Sequence, residues 1–360
     1  MGEIKLMKGN EAIAEAFIRA GVDAYYGYPI TPQSEVIEYL TLQKPEERTG
    51  MVVLQAESEV ASINMVYGAA CTGKKVVTSS SSPGISLMQE GISYIAGSEV
   101  PCVVVNVVRG GPGLGTIQPS QADYFQSTKG GGHGDYHQIV LAPSSVQEMS
   151  DFVPLAFELA FKYRILVMIQ SDGVIGQMME KVELFDQMPR ITNEEIEEKY
   201  SDWALTGRKN REHNIVTSLD LVPERQEKFN QKLKDKYEKI SANEVRFEKI
   251  NCDDADYLFV AYGSSARICQ KSMQLAREQG IKVGLLRPIT LWPYPYKVIK
   301  EMLPHLKGIL TVEMSHGQMV EDVRLAAEGK VKVEHYGRYG GMIPSPDEIV
   351  DALKTKIIGG

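Results

Sequence analysis

Apolar positions along this chain recur in two rhythms. In 10–21 (NEAIAEAFIRAG) they return at helical spacing, with Asn10 placed as an N-cap and Gly21 as a stop. The run 23–28 predicts a short strand ending at Pro29. Segments 51–55, 75–80 and 102–108 predict three more strands, with helices from 57 to 71 and from 85 onward. The last of these (CVVVNVV) is almost continuously apolar, which suits a parallel strand covered on both faces. A strand at 138–142, a helix at 146–163 and a strand at 165–170 follow. Alternation resumes with strands at 257–262, 282–287, 308–313 and 332–336. Strand–helix alternation of this kind predicts an α/β fold with a doubly wound parallel sheet, then a second, smaller α/β domain. The expected divisions are 1–185, a charged connecting arm at 186–250 with a solvated helix near 222–240, and 251–360.

Composition narrows the function. The formal net charge of −8 argues against a nucleic-acid partner, because phosphate binding needs a basic surface. No apolar stretch is long enough to span a membrane, and the N-terminal residues lack a signal-peptide core, so the expectation is a cytoplasmic chain. Cys71, Cys102, Cys252 and Cys269 form no CxxC pair. They read as small buried hydrophobes, and an iron–sulfur cluster held by this chain alone is not expected.

In open α/β sheets, ligands gather beyond the carboxyl ends of the strands. The segments that follow the first four predicted strands are Tyr28–Ser34, Gln55–Glu59, Ser79–Gly84 and Arg109–Gly113. One sheet edge would then hold hydroxyls, carboxylates, a guanidinium and free backbone N–H groups. That mixture suits an anionic substrate beside a carboxylate that moves protons.

Each candidate has two readings. Glu59 opens a helix rich in small residues, and a carboxyl at that dry edge can act as a general acid; equally, the helix dipole favours an acid in any first turn. Arg109 emerges from the apolar run and can grip a carboxylate with both arms of its fork, or simply sit at a loop start. Residues 110–115 (GGPGLG) make a poor dinucleotide motif, since Pro112 intrudes and no helix follows promptly. Their glycines fit a close backbone approach better. His133, Asp135 and His137 could form a metal cluster, but the glycines around them favour an interface loop at 130–134.

The run Tyr28-Pro-Ile-Thr-Pro32 resembles the alpha-type subunit of 2-oxoacid:ferredoxin oxidoreductases. The resemblance continues through Glu57–Ala61, Thr78–Gly84 with Ser86–Met88, and Val108–Gly113. It resumes at Ala261–Ser264, Leu286–Pro288 with Leu291–Pro293, and Val312–Gln318, so it covers nearly everything except the charged arm. The stretches GPGLGTIQPSQADYF and KGGGHGDYH look like the ketoisovalerate (3-methyl-2-oxobutanoate) branch.

The resemblance implies a pyrimidine-binding domain for thiamine diphosphate, followed by a transketolase C-terminal-like domain. It places Glu59 as the carboxylate that hydrogen-bonds the cofactor's aminopyrimidine, with Tyr28 and Pro29 also against the cofactor. Thr31 and Arg109 match positions that hold the oxygens of the 2-oxoacid. Electrons would pass to an iron–sulfur cluster and then to ferredoxin, and the acyl group to coenzyme A. No GDG motif with a downstream Asn is present, and Ser171-Asp-Gly173 reads as the turn after a buried strand. Diphosphate, Mg2+ and cluster are therefore expected on partners: a beta-type subunit, a gamma-type subunit, and a ferredoxin-like subunit or ferredoxin. Glu313, His316 and Gln318 would face either a subunit boundary or coenzyme A.

Three other readings compete. A 2-oxoglutarate-specific member would need an additional Lys or Arg facing Thr31. A non-catalytic assembly module on the same fold would have lost the site residues, which are present. A nicotinamide or flavin enzyme is undercut by the poor glycine motif.

Overall fold

The computed structural model describes residues 3–209 and 211–359. Fourteen strands run in chain order: β1 (Glu3–Lys8), β2 (Ala24–Gly27), β3 (Val52–Gln55), β4 (Val76–Ser80), β5 (Cys102–Val108), β6 (Ile139–Leu141) and β7 (Leu166–Asp172). Then come β8 (Met179–Leu184), β9 (Phe247–Ile250), β10 (Tyr257–Val260), β11 (Val283–Pro288), β12 (Thr290–Trp292), β13 (Gly308–Glu313) and β14 (Lys332–Gly337). They make a seven-stranded sheet in the order β12-β6-β7-β5-β4-β2-β3 and a five-stranded sheet in the order β14-β13-β10-β11-β9. β1 and β8 pair separately as an antiparallel ribbon.

The large sheet is parallel except for β12, and the small one is parallel except for β9. β5 lies near its centre, and every residue of it is buried. Its valines alternate between two cores: Val104 packs on one face, and Val103, Val105 and Val107 on the other. Burial of each such side chain contributes about 1.5–3 kcal/mol. The helices that flank the sheet start where the sequence supplies caps. Ser58 accepts from the Ala61 amide at the start of Glu59–Ala70, and Ser145 accepts from the Glu148 amide at the start of Val146–Tyr163.

Asn10 is not an N-cap. It lies inside the helix Gly9–Arg19, fully buried, and its amide donates to the Pro32 carbonyl (2.7 Å) and to Glu35 Oε2 (3.0 Å). Gly21 does follow the helix, at φ 67°. The helix expected near 222–240 spans Pro223–Asn243. It buries Leu233, Tyr237 and Ile240, and Lys232 and Lys236 both reach Glu99.

The two sheets share one core. Met88 and Val104 belong to the same apolar cluster as Leu258, Val260, Leu286 and Met319. β12 crosses over to pair with β6, and its Trp292 stacks on His137 with ring centres 4.6 Å apart. Gln121 stitches the segment after β5 to the small sheet. Its side chain donates to the Tyr262 carbonyl and accepts from Ser265 Oγ and the Met314 amide, while its own amide donates to the Met314 carbonyl. Buried Asp322 accepts from Tyr124 and Lys129 across the same boundary, and from Tyr296 on its own side of it. Among the described residues, no helix is long and apolar enough to cross a membrane.

Candidate active site

The register of the large sheet brings its carboxyl ends level. Gly27 pairs with Gln55, Ser80 with Asn106, and Val108 with Asp172. The loops that leave these positions therefore open on one edge, as expected for a ligand site in such a sheet.

The turn after β2 is held from below by buried amides. Gln33 accepts from Ser79 Oγ (2.6 Å), which also bonds the Tyr25 hydroxyl, and donates to the Tyr28 carbonyl (3.2 Å). The Pro32 carbonyl accepts from Asn10 and from Gln177 (2.9 Å). The Thr31 carbonyl accepts from Arg109 Nη1 (3.0 Å). With its backbone fixed on three sides, Thr31 presents an exposed side chain whose hydroxyl has no partner among the described residues. Tyr28 and Pro29 flank it, Tyr28 exposed and Pro29 half-buried.

Glu59 is the first residue of its helix and only 5% exposed, yet its carboxylate makes no hydrogen bond or ion pair among the described residues. Folds normally pair a carboxylate that is cut off from water; the Glu59 oxygens are not enclosed and keep an opening to solvent instead. Gly84 lies against it. A Cβ on Gly84 would fall 2.6 Å from Glu59 Oε1 and 2.0 Å from Ser80 Oγ, itself a buried hydroxyl without a partner. Glycine at 84 lets its helix turn close onto Glu59, whose carboxylate the chain's described groups do not use. A nitrogen heterocycle with a donor fits those features, so the residues present fit the pyrimidine of thiamine diphosphate.

Arg109 is buried at the end of β5. Its fork is committed to backbone: Nη1 to Thr31 and Nη2 to the Leu114 carbonyl (3.0 Å), while Nε is buried without a partner among the described residues. Its amide donates to Ser82 Oγ (3.1 Å). The structure thus brings Thr31 and Arg109 into direct contact, with Glu59 joined to them through Gly84 and the Ser80–Ser82 turn. The edge is not roofed by this chain's described residues: Val60, Leu87 and Leu114 around it are all exposed apolar side chains.

Sequence reasoning missed Asp123. Burial pushes its carboxyl above the ordinary range, against hydrogen bonds from Asn106 (2.9 Å) and Ser82. Only the fold puts it beside the end of β5. Asn10, Gln33 and Gly84 were also missed as site supports, because each acts on a residue distant in sequence.

Other candidates fall outside this edge. His133 lies edge-on to Tyr94 while His137 stacks on Trp292, and no group of three His, Cys, Asp or Glu side chains is placed to hold a metal among the described residues. Burial, with the charge of Lys129, lowers the pKa of His137. Glu313 is fully buried and turned onto its own loop, where it accepts from Ser315 Oγ and the amides of Gln318, Met319 and Val320. Gln318 donates to the Ala122 carbonyl and accepts from the Phe125 amide, and His316 stacks on Tyr339. Asp172 caps the helix Gly173–Gln177 and accepts from Ser264, so Ser171-Asp-Gly173 is a turn that ties the sheets together.

A parallel sheet with this edge, fused to the smaller sheet, is the thiamine-diphosphate-binding type of fold followed by a transketolase C-terminal-like domain. The family described as pyruvate flavodoxin/ferredoxin oxidoreductase, thiamine diphosphate-binding, matches residues 15–248, and pyruvate:ferredoxin oxidoreductase core domain II matches residues 255–349. The chain belongs to this oxidoreductase family. It is 47% identical to the ketoisovalerate oxidoreductase subunit VorB of Methanothermobacter thermautotrophicus over 97% of both chains. It is 36% identical to the 2-oxoglutarate synthase subunit KorA of Methanocaldococcus jannaschii, over 98% of this chain and 99% of that one. Among solved structures it superposes on a 2-oxoglutarate:ferredoxin oxidoreductase from Magnetococcus marinus, bound to 2-oxoglutarate, coenzyme A and succinyl-CoA. That match has TM-score 0.86 and 30% identity, and covers 99% of this chain and 66% of that one. A split-gene transketolase matches at TM-score 0.60 and 12% identity, a likeness of fold.

Proposed function

We propose that this chain is the alpha-type subunit of an enzyme that oxidatively decarboxylates a branched-chain 2-oxoacid, 3-methyl-2-oxobutanoate, to its acyl-CoA with ferredoxin as acceptor. The observation that carries the reading is Glu59: a residue only 5% exposed, packed close against Gly84, whose carboxylate has no partner among the described residues. The VorB relative, nearly half identical along its length, supports the substrate class.

Thiamine diphosphate, when bound, supplies the electron sink for decarboxylation. Glu59 would hold a proton at a ring nitrogen of the pyrimidine, as general acid and base. Tyr28 and Pro29 would lie against the same group. The Thr31 hydroxyl donates to an oxygen of the 2-oxoacid, and the unpaired Nε of Arg109 adds positive charge there. By gripping the Thr31 carbonyl, Arg109 also fixes where that hydroxyl points.

The unroofed apolar border of the edge supports completion by other chains. A beta-type subunit would supply the diphosphate and Mg2+ half, and gamma-type and ferredoxin-like subunits the iron–sulfur path, in a cytoplasmic complex. The test is dye reduction by the chain co-expressed with its neighbouring subunits, with coenzyme A and a panel of 2-oxoacids. Preference for 3-methyl-2-oxobutanoate is expected. Preference for 2-oxoglutarate would overturn the substrate, and no activity with any 2-oxoacid would overturn the reaction.

A further inference from the structure

Beside Thr31 lies a cavity of about 550 Å3, within the range of small-molecule sites. Its apolar lining is Pro32, Ile117, Pro119, Val174 and Ile343. These come from four places in the chain, and the fold fixes them against one another. The Pro32 carbonyl is held by Asn10 and Gln177, and Pro119 bridges to Arg109 by backbone pairing. The loop before Ile343 lies directly on the segment that bears Ile117. A Cβ on Gly341, at φ 93°, would come 2.4 Å from Gln118 Cβ and 3.1 Å from Thr116 Cγ2, so only glycine allows that approach.

Two features give the cavity its chemistry. Ile117 and Ile343 are 55% and 42% exposed, large apolar side chains on the wall of an open space. No Lys or Arg lines it among the described residues, whereas Glu35 and Glu38 do. Burial raises the pKa of Glu35, but bonds from Gln177 and Asn10 and the charge of Lys8 outweigh it and hold the carboxyl below its ordinary range. Glu35 is partly countered by Lys8 Nζ at 3.4 Å, while Glu38 has no ion-pair partner among the described residues. A second carboxylate on a substrate would find no cation here and one uncompensated negative charge.

We propose that this cavity receives the branched alkyl chain of the 2-oxoacid, with Ile117, Val174 and Ile343 as its walls, and that its cation-free rim turns away a dicarboxylate. The proposal rests on the branched-chain reading above. It makes Thr31 the hinge of the site, with the polar end of the substrate toward Arg109 and the alkyl end in the cavity.

The test uses the enzyme assembled with its partner subunits and compares kcat/KM for 3-methyl-2-oxobutanoate, pyruvate and 2-oxoglutarate. Val174→Phe is expected to lower the ratio of 3-methyl-2-oxobutanoate to pyruvate by roughly tenfold or more, since the smaller acid needs less of the cavity. Glu38→Lys is expected to raise the ratio of 2-oxoglutarate to 3-methyl-2-oxobutanoate by roughly tenfold. Ile343→Ala, a milder change at a half-exposed wall, stands in if Val174→Phe does not assemble, and is expected to shift the first ratio the same way. Equal losses on all three acids, or ratios that do not move, would overturn the pocket while leaving the branched-chain reading intact. A wild-type preference for 2-oxoglutarate would overturn that reading itself.

Discussion

Glu59 and Glu313 stand at similar stations in two different sheets. Each lies beyond or at the carboxyl end of a parallel strand, at the entrance to the next helix, and each is almost completely buried. Glu313 receives four donors within 3.1 Å, so its charge is spent on closing its own loop. Glu59 receives none among the described residues. A buried charge that the fold satisfies is architecture. One that it leaves without a partner, with Gly84 close against it and its oxygens still open to solvent, is held for something outside the chain.

The contrast breaks most visibly in turnover. Glu59→Gln in the assembled enzyme is expected to cut 2-oxoacid-dependent dye reduction roughly 100- to 10,000-fold, the usual scale for a general acid–base group. Its melting temperature should hold, because no bond within the chain is lost. Glu313→Gln should do the reverse. The amide would oppose backbone N–H groups with a donor of its own, costing roughly 2–4 kcal/mol in denaturant unfolding.

A smaller effect sharpens the comparison from packing rather than charge. Gly84→Ala puts a methyl against Glu59 and Ser80, and is expected to lower turnover roughly tenfold through misplacement. The smallest effect concerns a third buried carboxylate, Glu15, which Arg19 and Arg48 pair at 2.8 Å. Burial raises its pKa, but those two bonds outweigh it and leave the carboxyl below the ordinary 4.5. Its stabilisation is whole above that value and is lost as pH falls below it. Unfolding measured down the acid range should show a shallower loss in Glu15→Gln than in the wild type.

The architecture was legible where local pattern and burial agree. β5 declares itself because seven consecutive buried residues must be apolar or hydrogen-bonded. β1, β8, β9 and β12 did not, since they are short or charged and owe their existence to partners far away in the chain. Asn10 looked like a cap because a polar residue precedes an apolar rhythm; in the fold the Pro32 carbonyl, 22 residues on, claims it. The site divides the same way. Thr31, Glu59 and Arg109 follow strands, and the edge rule finds them. Gln33 and Asp123 matter only through Ser79 and Asn106, 46 and 17 residues away, and no spacing announces that.

The most direct test sets dye reduction by wild type and Glu59→Gln side by side, in complexes of matched subunit content and matched melting temperature, with 3-methyl-2-oxobutanoate and coenzyme A. If Glu59 is kept free for the cofactor's pyrimidine, the variant assembles and melts like the wild type while its turnover collapses. A variant that turns over as fast as the wild type would mean that the unpaired carboxylate has no part in the chemistry.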